Sequence, residues 1–206
     1  MAVITFPTTL LVRSMRWERY DQDVTMRGPF GVQSMSAMAP LWKVSLTFET
    51  VSEANSGPYK ALLMQLDGSK NQLELWDLGR PNVQGTIGTG GHVLTFNALT
   101  AAGATSIVIA ATASPSGKTL KAGDMIGFGS GVTQQVVMVT ADATFGASTA
   151  TVSVYPALRN SMAAATSVRI AQPKALFRQQ ANTVGWDYST VVADGMSLDL
   201  LEDPRP

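Results

Sequence analysis

Hydrophobic and polar residues alternate in two stretches near opposite ends of the chain. Trp42, Val44, Leu46 and Phe48 alternate with Lys43, Ser45, Thr47 and Glu49. Successive side chains of a strand leave opposite faces, so this pattern predicts a strand with one face buried and one wetted. Met196, Leu198 and Leu200 alternate with Ser197 and Asp199 in the same way. Shorter runs at residues 11–20, 73–78 and 175–179 predict three further strands. One stretch has a different period. Tyr59, Leu62, Leu63 and Leu66 recur at i, i+3, i+4 and i+7, which gathers them on one stripe of an α-helix. Asn55 or Ser56 is placed to cap its start, Pro58 falls in the first turn, where a missing N–H does no harm, and Gly68 ends it.

Between these elements the pattern changes. Strands are predicted at residues 106–111, 125–128, 134–140, 149–155 and 167–171, with turns at 114–118, 129–133, 141–148 and 160–166. Five short strands at close spacing, with no helical run between them, predict a small barrel or sandwich. Charge follows the same division. Residues 1–84 hold 16 charged side chains, 92–172 hold six and 173–206 hold eight, and all four tryptophans lie outside the middle segment. Glycines 85, 88, 90 and 91 punctuate the entry to that segment and Pro173 its exit. The pattern therefore predicts a mainly β protein of two domains: residues 1–84 with 173–206 as one discontinuous β domain carrying a flanking helix, and residues 85–172 as a small β-barrel domain inserted into one of its loops.

Composition narrows the chemistry. The 206 residues include no cysteine and a single histidine, His92, so disulfides, zinc–thiolate sites and thiol nucleophiles have no source. Fifteen basic and fifteen acidic residues balance, leaving no global field to gather nucleic acid or an anionic membrane. No apolar run approaches the roughly 18 residues that span a bilayer, and the first eleven residues lack the pattern of a signal peptide. The expectation is a protein folded in a cytoplasm, without membrane insertion. Charged residues make up 15% of the chain against about 25% in ordinary domains, a composition suited to β-structure and broad protein contacts.

Several short motifs invite catalytic readings, and each lacks its required context. Ser116-Gly117-Lys118-Thr119 resembles the end of a phosphate-binding loop, but Thr112 stands where the first glycine belongs, and a turn follows where a helix should. It reads as a hairpin tip. Gly127-Phe128-Gly129-Ser130-Gly131 opens no helix and reads as a tight turn using positive φ. His92 reads as a linker residue. The acidic pairs Asp21/Asp23 and Glu202/Asp203 read as solvated surface, the second fraying into the C-terminal tail. Arg13, Arg16 and Arg19 recur every third residue, but Glu18, Asp21 and Asp23 dilute them as a basic patch. No catalytic, cofactor-binding or metal-ligating residue emerges, and no enzyme is expected.

An ordered series of longer pieces carries more information. Leu75-Trp76-Asp77-Leu78-Gly79-Arg80-Pro81 is followed by Lys121-Ala122-Gly123-Asp124-Met125-Ile126-Gly127 and by Val137-Met138-Val139-Thr140-Ala141-Asp142-Ala143. Next come Val152-Ser153-Val154-Tyr155-Pro156-Ala157-Leu158-Arg159 and Asp194-Gly195-Met196-Ser197-Leu198-Asp199-Leu200-Leu201-Glu202. In this order and spacing, over nearly the whole chain, they resemble the distal tail proteins of long-tailed (siphovirus-type) bacteriophages and prophages. The resemblance implies a tail-tube-like β-sandwich or barrel that forms a homo-oligomeric ring, a hexamer, at the virion tail tip after assembly in the host cytoplasm. It further implies tail tube protein and tail hub or tip proteins as partners, and a lumen that passes DNA without binding it specifically. The competing expectation is a module that binds host-surface carbohydrate. Its stacking aromatics would have to come from Phe96, Phe128, Phe145 and Tyr155 of the inserted domain.

Overall fold

The computed structural model describes residues 1–21, 23–29, 31–36, 39–181, 184–189 and 192–203. It is mainly β, as the alternation predicts. In chain order the elements are β1 (Val3–Thr5), β2 (Val12–Tyr20), β3 (Asp23–Gly28), β4 (Gly31–Ser36), β5 (Leu41–Phe48), β6 (Val51–Ser52), α1 (Gly57–Leu66) and β7 (Gln72–Leu75). There follow β8 (Leu94–Phe96), β9 (Ser106–Ala111), β10 (Thr119–Leu120), β11 (Met125–Phe128), β12 (Gln135–Val139), β13 (Ala143–Thr144), β14 (Thr149–Tyr155) and β15 (Ser167–Arg169). The chain closes with β16 (Ala175–Gln179), β17 (Asp187–Ser189), β18 (Val192–Asp194) and β19 (Ser197–Glu202). Two compact units emerge, Met1–Leu75 with Leu176–Asp203, and Trp76–Ala175.

The discontinuous unit is built on a six-stranded sheet in the order β1-β7-β16-β19-β5-β2. Its register follows from the alternation: Leu46 lies opposite Leu198 and Val44 opposite Leu200 on β19, while Trp17 of β2 lies opposite Val44 from the other side. Trp42, Val44, Leu46 and Phe48 are all buried. Trp17 meets Trp42 and Phe177 edge-on, with ring centroids 5.9 and 5.5 Å away, the arrangement that aromatic quadrupoles favour. The helix buries the four residues of its predicted stripe, and Tyr59 packs edge-on against Phe48 at 5.5 Å. Ser56 takes the N-cap place, but its hydroxyl donates back to Glu53 O at 2.8 Å instead of capping, because a 3-10 turn at Glu53–Asn55 precedes the helix. Asp67 and Gly68 adopt left-handed conformations and end it.

The second unit is a closed six-stranded antiparallel barrel, β11-β12-β14-β9-β8-β15. The five strands predicted in this segment are all present, three with the predicted bounds. β8 is the sixth, and it completes the ring of pairings between β9 and β15. The interior is filled by side chains that include Phe96 and Phe128, perpendicular at 5.2 Å, with Ile107, Ile109, Val152 and Val154. Residues 76–84, placed by their charge content with the first segment, belong to this unit. Asn82 bridges to Ala171, Val83 N donates to Ile170 O at 3.2 Å, and the Lys174 ammonium lies 5.5 Å from the Trp76 ring centre. The strand predicted to run on to residue 78 stops at Leu75, and Asp77 then turns the chain by accepting from Gly79 N and Arg80 N.

Gly85 has an ordinary φ of −62°, yet a Cβ there would collide with Thr119 O and lie 2.7 Å from Leu120 Cα. Space, not backbone freedom, requires glycine. Gly91 is the reverse, with φ +67° and open surroundings. In urea unfolding Gly85→Ala is expected to cost about 1–3 kcal/mol and Gly91→Ala about 1 kcal/mol. Phe96→Ala, which empties the barrel centre, is expected to cost about 3–5 kcal/mol.

Candidate functional site

Among the described residues three acidic side chains are buried, and each is committed to backbone or amide donors. Asp124 accepts from Gln84 N at 2.7 Å, Gly85 N at 3.1 Å and Lys121 N at 2.8 Å. These charge-assisted bonds tie the segment entering the barrel to the β10–β11 turn. Glu202 and Asp203, expected as a solvated, fraying pair, are 1% and 4% exposed. Glu202 Oε2 accepts from Trp42 N at 3.1 Å, and Asp203 Oδ2 accepts from the Gln72 amide at 3.0 Å. The correction has a simple cause. β19 runs on in register with β16 as far as Glu202, opposite Phe177, and Asp203 N still donates to Leu176 O. The sheet holds the tail in, and the acids come with it.

The other motifs fall where their local sequence predicts. Ser116-Gly117-Lys118-Thr119 is a turn, with Lys118 N bonded to Pro115 O at 2.8 Å, and it enters strand β10 rather than a helix. The glycine-rich stretch after β11 uses left-handed conformations at Gly129 and Gly131 and continues into a 3-10 turn at Gly131–Thr133. His92 Nδ1 lies 2.8 Å from Thr112 O on the barrel unit. Arg16 pairs with Glu18 at 2.7 Å and Arg19 with Asp21 at 2.6 Å, so two arginines of β2 are neutralised by acids in or just after their own strand. Among the described residues no three His, Asp or Glu side chains converge as a metal-holding group, and no helix is long and apolar enough to cross a membrane.

Exposed apolar surface is concentrated elsewhere. β3 and β4 form a two-stranded hairpin that is a sheet of its own, lying between β2 and β5 in the chain, and every residue of β3 is exposed. Val24 lies opposite Met35 and Met26 opposite Gln33, so these four share one face and line a hollow of about 180 Å³. Val24, Met26 and Met35 are 50%, 62% and 67% exposed. An isolated hairpin is marginal in water, and an apolar face left open on one is the kind of surface that marks a contact. A signal for it was present in the sequence: Val24 and Met26 alternate with Thr25 and Arg27 before Gly28-Pro29, and Val32 follows Gly31.

A second surface lies at the start of the helix. Thr9, Leu10, Leu11, Val51, Ala54, Asn55, Pro58 and Tyr59 line a groove of about 330 Å³. The Tyr59 hydroxyl accepts from Leu11 N at 2.9 Å, which fixes the groove wall and turns the Leu11 side chain outward at 62% exposure.

Searches against protein-family models and against curated proteins return no match for this chain.

Two predictions follow from the acids. Asp124→Ala orphans three N–H groups and is expected to cost about 2–4 kcal/mol in chemical denaturation, with Asp124→Asn retaining part of that. Asp142, exposed, accepts from Lys121 Nζ at 2.6 Å and from Ala122 N at 2.9 Å, and these bonds hold its carboxyl below the ordinary 3.8. Its ionised form is the one the fold favours. That contribution is present above pH 3.8 and is lost as pH falls through the lower folded value. Lys121→Met should move the Asp142 midpoint in a carboxyl NMR titration upward, toward the ordinary value.

Proposed function

We propose that the chain is a structural, self-assembling adaptor subunit of a long-tailed bacteriophage tail tip. In this reading copies close into a ring, a hexamer, that joins the tail tube to the hub or tip proteins and leaves a lumen for DNA. The protein would assemble in the host cytoplasm and reside in the virion tail. The observation that carries the assembly part is the β3–β4 hairpin, an arm whose apolar face nothing among the described residues of its own chain covers. The ordered resemblance quoted above supplies the tail. The low charge of the barrel unit and the balance of charge overall fit a subunit packed among protein neighbours beside passing DNA.

The carbohydrate-binding alternative loses its stacking surface. Phe96, Phe128 and Phe145 are buried in the barrel core, and Tyr155 is half-buried. Sugar recognition by stacked rings needs exposed aromatic faces.

Light scattering and negative-stain images of the purified chain, alone and mixed with tail tube protein, test the proposal. Six-membered rings are the expected outcome. Monomers alone at high concentration in both samples would overturn it, as would strong binding on a glycan array or cell-wall degradation.

A further inference from the structure

We infer that two copies of the chain join through the open edge of β3, antiparallel and two-fold symmetric about Thr25, with Asp23 of each copy opposite Arg27 of the other. The inference rests on the self-assembly part of the reading above and adds the partner, the strand and the register. β3 is paired on one side alone, in a two-stranded sheet with β4. The pairs from Asp23↔Ser36 to Gly28↔Gly31 run without a register shift, and β3 contains no proline and is exposed throughout. It therefore lacks the bulge, the proline and the cover that commonly blunt an edge.

The register says which groups face out. Gly28 and Gly31, three residues apart, can pair only through their own N–H and C=O groups. Bonded and non-bonded pairs alternate along an antiparallel ladder. Met26 and Val24 therefore bond to β4, and the N–H and C=O groups of Asp23, Thr25 and Arg27 point out of the open edge. A second β3 laid antiparallel there must set these three residues opposite one another. Only the register centred on Thr25 puts Asp23 opposite Arg27 at both ends. It forms about six N–H···O=C bonds and brings Val24 beside Met26 of the other copy.

Charge selects this partner. Asp23 and Arg27 are exposed and make no ion pair with a described residue. On β2, by contrast, Arg16 and Arg19 are already paired with Glu18 and Asp21. A parallel, in-register pairing of two β3 strands would set like charges side by side, which is destabilising, whereas the two-fold pairing sets opposite charges there. Two hairpins, each marginal alone, become one four-stranded sheet. Its apolar face, widened by Val24 and Met26 of both copies, stays open to other neighbours. The contact is isologous, so it pairs single chains or the chains of two rings, and closing each ring falls to other surfaces.

The absence of native cysteine makes the test clean. Val24→Cys chains are mixed with Met26→Cys chains under mild oxidation. Side chains stand closest in non-bonded pairs, so the mixed disulfide should exceed either self-linked species severalfold. By sedimentation velocity Asp23→Lys and Arg27→Glu should each weaken dimerisation about tenfold. An equimolar mixture of the two should regain it, because opposite charges then meet at both ends. Linked species in statistical proportion, or no recovery on mixing, would show the register to be wrong and overturn the inference. If rings form without the mixed link, this contact is wrong and the ring reading stands. If the mixed link forms but rings do not, even beside tail tube protein, the contact stands and the ring falls. A chain that stays monomeric alone overturns the contact, and one that does so beside tail tube protein as well overturns both.

Discussion

A β-strand carries a row of N–H and C=O groups on each edge, and those groups must find partners wherever water is excluded. The two units of this protein answer that demand in different ways. The inserted unit closes six of its strands into a barrel, so that no barrel strand is left as an edge. Once the backbone is satisfied by closure, the side chains need only fill the centre. Isoleucine, valine and phenylalanine do so with few charges. The discontinuous unit leaves its sheet open, and what it does with the two ends shapes its surface.

The open ends are treated unequally. β1 is three residues long, a common way to blunt an edge. β2 is nine residues long but carries Arg13, Arg16, Glu18 and Arg19 and a register shift between Val12 and Ser14, which discourage casual strand addition. The β3–β4 hairpin has charges too, Asp23 and Arg27, but alternation sets them on the face opposite Val24 and Met26. Its apolar face carries no charge, and no described residue covers it. The physical case for assembly therefore rests on the arm, not on either edge of the six-stranded sheet.

The acidic residues show the complementary principle. Glu202 and Asp203 read as solvated surface in the sequence, but they and Asp124 are buried with oxygens directed at donors of the fold. A buried carboxylate that accepts several N–H groups is a structural tie, and moving it would orphan the donors it serves. The aromatic residues of the barrel tell the same story, since the rings a sugar would need are the ones that hold the barrel together.

Period alone was enough for the strands at Trp42–Phe48 and Met196–Leu200, the helix at Tyr59–Leu66 and most of the barrel, because one buried face forces a periodic signal. Glycine and proline marked the turns that only a turn could use. Other features were decided by tertiary structure. β8 is three residues long and becomes a strand only because β9 and β15 flank it. Residues 76–84 join the barrel through backbone and side-chain bonds to residues such as Asp124 and Ile170, which charge content does not register. Glu202 and Asp203 are buried by strands β16 and β19, elements whose pairing no local pattern specifies. The hairpin lies between these cases. Its alternation is visible in the residues, but its lack of cover is a property of the folded unit, since exposure depends on what the rest of the chain does not reach.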